Sequence, residues 1–175
     1  MSIWRYVGVD ESNHGFNRQS DIPEIYVAVS AQSREETELR NLPKFRDDID
    51  FIEETNNDYS FLLFSRADKL TIPKSKKLGI VLGSLLAHEQ VREALDMYVD
   101  GLWNEWDKNF AIEVLADVTA MPKDTIKIKD GTDLDRRIKI VNYADIRAYW
   151  LFSRKSLEDL TENPYRKELL RKYVR

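Results

Sequence analysis

Residues 5–15 read Arg-Tyr-Val-Gly-Val-Asp-Glu-Ser-Asn-His-Gly, a short strand that runs into two adjacent carboxylates and then a turn. Val7 and Val9, with Trp4 and Tyr6 beside them, have the β-branched and aromatic character of a buried strand. Asn13, His14 and Gly15 punctuate its end. Packing gives no reason to finish such a strand with Asp10 and Glu11. Carboxylates there must be solvated, capped or neutralised by a cation. The cation is the reading that constrains the rest of the chain most, because one carboxylate cannot hold a hard metal ion alone.

The 175 residues suit one domain, 1–175, with a sizeable core. Net charge is −4, which argues against a protein that coats nucleic acid by bulk electrostatics, though not against an enzyme that meets a few phosphates through metal ions. The absence of cysteine excludes disulfides and thiolate metal sites. No apolar run approaches membrane-spanning length and the first residues lack a signal-peptide pattern, so the expectation is a cytoplasmic protein without membrane contact.

Further strands are expected at Glu24–Ser30, antiparallel to the first, and at Tyr59–Phe64. Residues 33–56 space Leu39, Leu42, Phe45, Ile49 and Ile52 like a broken helix around Pro43, and read as an insertion. Pro73 suits the start of a long helix, which carries a broad apolar stripe over Leu78 to Trp106, with Gly79 and Gly83 allowing close approach to a sheet. Phe110–Asp117 reads as a fourth strand, ending again in a carboxylate. Thr125–Lys129 alternates as a fifth. Helices are expected over roughly 137–153 and 157–173. Hairpin-paired strands followed by a helical crossover imply a mixed α/β sheet covered by helices.

On the helix near 137–153, Val141, Ala144, Ala148, Leu151 and Phe152 make one apolar face, and Asp145 falls on it. If the first and fourth strands are parallel neighbours, Asp10 and Asp117 end side by side, and the helix can bring Asp145 across to them. Three oxygens from three elements would then converge as a divalent cation requires.

In these features the chain resembles the ribonuclease H-like superfamily. Gly8-Val9-Asp10-Glu11 is similar to the opening of type 2 ribonucleases H, and Ala116-Asp117 to their fourth-strand acid. Asn13-His14-Gly15 stands where those enzymes have a Gly-Arg-Gly turn that helps read the ribose 2′-hydroxyl. A poorly characterised branch of the superfamily also opens with Asp-Glu-Ser-Gly and closes with a helix carrying Ala-Asp. Here Asp10-Glu11-Ser12-Asn13 and Ala144-Asp145 resemble it, with Asn13 in place of the glycine. Junction resolvases place a late acid on a helix, as Asp145 would be. The resemblance implies a three-layer fold with a five-stranded mixed sheet in order 3-2-1-4-5, and Mg²⁺- or Mn²⁺-dependent cleavage of RNA, DNA or a hybrid. It implies Asp10, Glu11, Asp117 and Asp145 as metal ligands and catalytic groups. Asp133 and Asp135, in the loop before the helix, are alternative late acids. His14 could shuttle a proton, and Lys127, Lys129, Arg136 and Arg147 could meet phosphates.

Each acid also has a simpler explanation. Asp10 could cap its own turn, Asp117 could do the same before Thr119, and Asp145 could be the third residue of a capping box begun by Asn142. The competing function is a non-catalytic binding or assembly protein on the same fold. It is favoured by net acidity and by Trp103, Trp106, Tyr149 and Trp150, which would suit a protein partner or a homodimer.

Overall fold

A computed structural model describes residues 3–12, 23–42, 57–154 and 164–174. Five strands form one sheet: β1 (Trp4–Ser12), β2 (Glu24–Ser30), β3 (Tyr59–Phe64), β4 (Val91–Asp100) and β5 (Ile126–Gly131). Their order is β3-β2-β1-β4-β5, the 3-2-1-4-5 arrangement expected of a ribonuclease H-like fold. The first three pair antiparallel, whereas β4 runs parallel to both β1 and β5. Parallel neighbours need a crossover. It is supplied by α1 (Arg66–Thr71) and α2 (Lys74–Leu86) before β4, and by α3 (Glu105–Thr119) before β5. Helices α4 (Lys139–Arg154) and α5 (Pro164–Tyr173) follow.

Alternation along β1 and β4 sorts their side chains to two faces. Trp4, Val7, Val9, Leu95, Met97 and Val99 join the larger core, which α2, α3 and Leu169 of α5 cover. The opposite face carries Ile25, Val27 and Val29 of β2 under Ala144, Ala148 and Leu151 of α4. Tyr98 packs there on Leu134, Ile138, Ile140 and Val141. Helix α4 lies over β1 and β2 and meets β4 only at its margin. Gly83 brings α2 close to α3, where a Cβ would stand 2.5 Å from Val114. The close approach expected of the helical glycines to the sheet is instead an approach to neighbouring helices, Gly79 meeting Phe110 and Val114 and Gly83 meeting Val114 and Leu169.

Two segments differ from expectation. The long helix read from Pro73 to Trp106 ends at Leu86, and its second half is β4. Leu95, Met97 and Val99 alternate into the core, but Val91, Leu95 and Val99 also fit helical spacing, and no Gly or Pro marks the break at Ala87–Gln90. Conversely, Phe110–Asp117 is helical and belongs to α3. Asn104 caps that helix by accepting the Asp107 N–H at 2.9 Å, and Ala120 closes it in the left-handed conformation at φ 55°. Of residues 33–56, Arg34–Thr37 form a short 3-10 turn and Leu39 bridges to Ile138, while 43–56 lie outside the described residues. The last helix begins at Pro164, and 155–163 lie outside them too. Among the described residues no helix is long and apolar enough to cross a membrane.

Candidate carboxylate site

The site forms where the pairing of β1 with β4 ends. Val9 pairs with Val99 in the parallel register, so Asp10 and Asp100 follow as neighbours on the α4 side of the sheet. Two residues before Asp10 on that face is Gly8. A Cβ there would stand 2.4 Å from the carbonyl carbon and oxygen of Ile140. The missing side chain lets the first turn of α4 lie directly on the strand, and the next turns carry Asp145 to the strand end. Asp145 lies in the interior of α4, which starts at Lys139, so the capping box begun by Asn142 does not form.

The third element is the 3-10 turn Leu134–Arg136. Asp100 Oδ1 accepts the Leu134 N–H at 2.7 Å, and the Asp135 N–H also donates to the Asp100 carboxylate. The Asp100 side chain thus fixes the turn that presents Asp135. Asp10, Asp135 and Asp145 each offer a carboxylate oxygen within 4.8 Å of the others, and all three residues are buried. Opposite ligands of one Mg²⁺ or Ca²⁺ ion stand about 4–5 Å apart, twice the metal–oxygen distance. An all-oxygen, all-carboxylate donor set is the chemistry a hard divalent cation selects. The residues therefore fit such an ion.

Electrostatics mark the same place. Burial first, then repulsion from Asp145, Asp100 and Glu11, push the Asp10 carboxyl well above its ordinary range. Among the described residues the one opposing influence is the Glu11 N–H, which donates to Asp10 Oδ1 at 2.7 Å. Among the described residues, the charges acting on Asp10 are negative. Asp100 is also raised, by burial first, while the Leu134 N–H it accepts works the other way. Glu11 is half-buried beside Asp10.

Asp117 is not part of this arrangement. Expected at the end of the fourth strand, it lies instead on α3, where it accepts from Lys172 Nζ at 2.6 Å and from Tyr173 OH at 2.8 Å. Those two bonds hold its carboxyl below the usual range. The acid that ends the true fourth strand is Asp100, which the sequence reading missed. Its signal was the alternation of Leu95, Met97 and Val99 followed by the turn Asp100-Gly101. Asp135 and Asp145 are both in the cluster, not alternatives to each other, and Asp133 is exposed outside it. His14 lies outside the described residues. Arg147 is turned away to the Tyr59 ring, 4.3 Å from its centroid. Lys127 and Lys129 are exposed on β5, and Arg136 is exposed on the 3-10 turn.

No protein-family model matches the chain, and no curated protein matches it. Among solved structures it is similar to a chain of the complex of PCNA with RNase HII from Archaeoglobus fulgidus. The two are 15% identical, with a TM-score of 0.53 over 82% of this chain and 69% of that one. The likeness is one of fold and agrees with the sheet order above.

Proposed function

We propose that this protein is a divalent-metal-dependent nuclease that hydrolyses phosphodiester bonds of RNA, DNA or a hybrid. The observation that carries the reading is the convergence of Asp10, Asp135 and Asp145 within 4.8 Å, all buried, with Asp145, Asp100 and Glu11 repelling the Asp10 carboxylate. The cluster lies at the ends of parallel strands, where open α/β sheets hold their ligands. Its fold likeness to an RNase HII complex supports the reading by analogy. Asp10, at the centre, would ligate the cation, with Asp135 and Asp145 completing its shell. Asp100 is a positioning residue, holding the turn beneath Asp135. Glu11 would orient a water toward the phosphorus. Bound Mg²⁺ or Mn²⁺ supplies a more acidic water and charge neutralisation at the phosphodiester oxygens.

Calorimetric titration with Mn²⁺ tests this directly. Saturable binding to the wild type, weakened at least about tenfold in Asp10→Asn and Asp145→Asn, is the expected result. It should be accompanied by Mn²⁺-dependent cleavage of an RNA, DNA or hybrid oligonucleotide. At about 100 times Kd the ion should stabilise the fold by about 2.7 kcal/mol. Wild type and variants that bind alike, or no cleavage of any of the three substrates, would remove the proposal.

One observation favours the assembly reading. Trp106, in the first turn of α3, is 84% exposed, and Leu102, in the segment before that helix, 78%. A homodimer formed through them would persist in chelator and in Asp10→Asn, and would dissociate in Trp106→Ser.

A further inference from the structure

The helical layer over this side of the sheet is incomplete. Helix α4 covers β1 and β2, whereas Lys127 and Lys129 of β5 remain exposed. The register arranges this face in rows. Gly8, Tyr98 and Lys129 lie side by side, and one step back lie Tyr6, Asp96 and Lys127. Directly ahead of Lys129 is the row of Asp10 and Asp100. The ammonium of Lys129 sits 4.7 Å from the Tyr98 ring centroid and 3.1 Å from its hydroxyl, and Arg34 is close enough to repel it.

Beyond the rows, β4 swells outward. It takes five steps, Val91 to Asp96, where β1 takes two, Trp4 to Tyr6. Glu93 adopts φ 65° within this bulge. The displaced backbone walls a cleft of about 400 Å³ lined by Arg5, Arg34, Arg92, Tyr6 and Glu93. Arg5 is bridged to Glu93 at 3.4 Å. Arg34, Arg92 and Lys127 make no ion pair among the described residues, and all three are exposed. Five cations thus share this face with Glu93 and Asp96, in a chain whose net charge is −4. Concentrating positive charge on one face of an acidic protein builds a local field for a polyanion.

We infer that the cleft of Arg5, Arg34 and Arg92 and the Lys127–Lys129 row form a track for the phosphodiester backbone of a nucleic-acid strand, leading to the carboxylate cluster. The distance along β1 from Tyr6 beside the cleft to Asp10 is about 13 Å, so the track would engage the strand several phosphates from the cluster. The Tyr98 ring is covered by Lys129 and is 7% exposed, so it offers no face for base stacking. Recognition is through phosphates and is independent of sequence. This inference deepens the nuclease reading and takes its direction from it, but the track itself binds without a metal.

The test is fluorescence anisotropy of labelled single-stranded DNA and RNA in EDTA, over a range of salt. Wild type should bind with a log affinity that falls linearly with log salt. Arg34→Gln/Arg92→Gln should weaken binding about tenfold at low salt and flatten the slope by about 0.7 per lost contact. Lys127→Gln/Lys129→Gln should act alike, whereas Asp10→Asn, which removes a negative charge, should bind at least as tightly as wild type. The arginines are exposed, and an unchanged melting curve confirms that the variant is folded. Affinity unchanged in both double variants, or insensitive to salt, overturns the track while leaving Mn²⁺ binding untouched. Loss of the nuclease reading by absent Mn²⁺ binding would leave the anisotropy result standing.

Discussion

Asp68 and Asp10 are both withdrawn from water, 5% and 4% exposed, and their surroundings are opposite. Asp68 is the third residue of α1. Its Oδ2 accepts from the Ser65 backbone N–H at 2.7 Å, from the Ser65 hydroxyl at 2.8 Å and from an Arg166 guanidinium nitrogen at 2.5 Å. Arg166 in turn reaches the Leu63 carbonyl, tying α5 to the end of β3. Glu24, equally buried, accepts from Lys77 and the Tyr26 hydroxyl. At these places the fold supplies its own cation. At Asp10 it supplies more acids. A buried carboxylate matched by an internal cation is architecture. Three buried carboxylates drawn together, with negative charge dominating at Asp10, carry a cost at neutral pH that an external cation would remove.

The difference is open to attack from both sides. Arg166→Met should be the most damaging change, because it strands the Asp68 charge. We expect a loss of about 3–5 kcal/mol in urea unfolding, with Mn²⁺ binding retained by the folded fraction. Gly8→Val comes next. Its side chain would collide with the Ile140 backbone, which cannot swing aside as a side chain would. A cost of about 1–3 kcal/mol is expected, together with weaker Mn²⁺ binding, since α4 carries Asp145. Tight binding in a Gly8→Val protein would show that α4 is not what positions the cluster.

Asp10→Asn should move stability the other way, raising that of the metal-free protein at neutral pH. The sign follows from its raised folded pKa. The favourable contribution of Asp10 is fully present below its ordinary value of 3.8 and is lost as pH rises through the folded value. The advantage of the variant should therefore be largest at neutral pH and vanish toward pH 3.8. An Asp10→Asn protein less stable than wild type in EDTA at neutral pH would mean that a cation already compensates the site. The smallest effect is expected for Asp117→Asn. Its carboxyl is held low by Lys172 and Tyr173, so its contribution is present above its ordinary pKa and lost as pH falls through the folded one. The pair is solvent-screened, and the melt should barely shift. Mn²⁺ affinity should stay the same.

Much of the sheet was legible in the chain. The β-branched runs at Val7–Val9 and Ile25–Val29 and the aromatic run Tyr59–Phe64 have no competing helical pattern. The face of α4 was equally plain, which is why Asp145 stood out among Val141, Ala144 and Ala148. The two middle elements were not legible, for a physical reason. The eight residues Phe110–Asp117, six of them apolar, fit a buried strand or a helix face, and only long-range pairing decides. Val91–Asp100 posed the converse ambiguity. Exchanging them moved the fourth-strand acid from Asp100 to Asp117. The role of Gly8 was hidden for another reason: a close approach involves the partner backbone, here Ile140, and a sequence does not print its partner.

The Asp100 carboxylate links these observations in one further way. By holding the Leu134 and Asp135 N–H groups it anchors that turn to β4, while Asp10 belongs to β1 and Asp145 to α4. Asp10 and Asp135 are 125 positions apart in the chain, and Asp145 lies ten further on. A cation gripped by all three is a removable cross-link in a molecule that has no cysteine. Closing so long a loop restrains the unfolded chain. A chelator would then do more than empty a site: amide exchange should quicken through β1, β4 and α4 together, as though a clasp between distant parts of the chain had been undone.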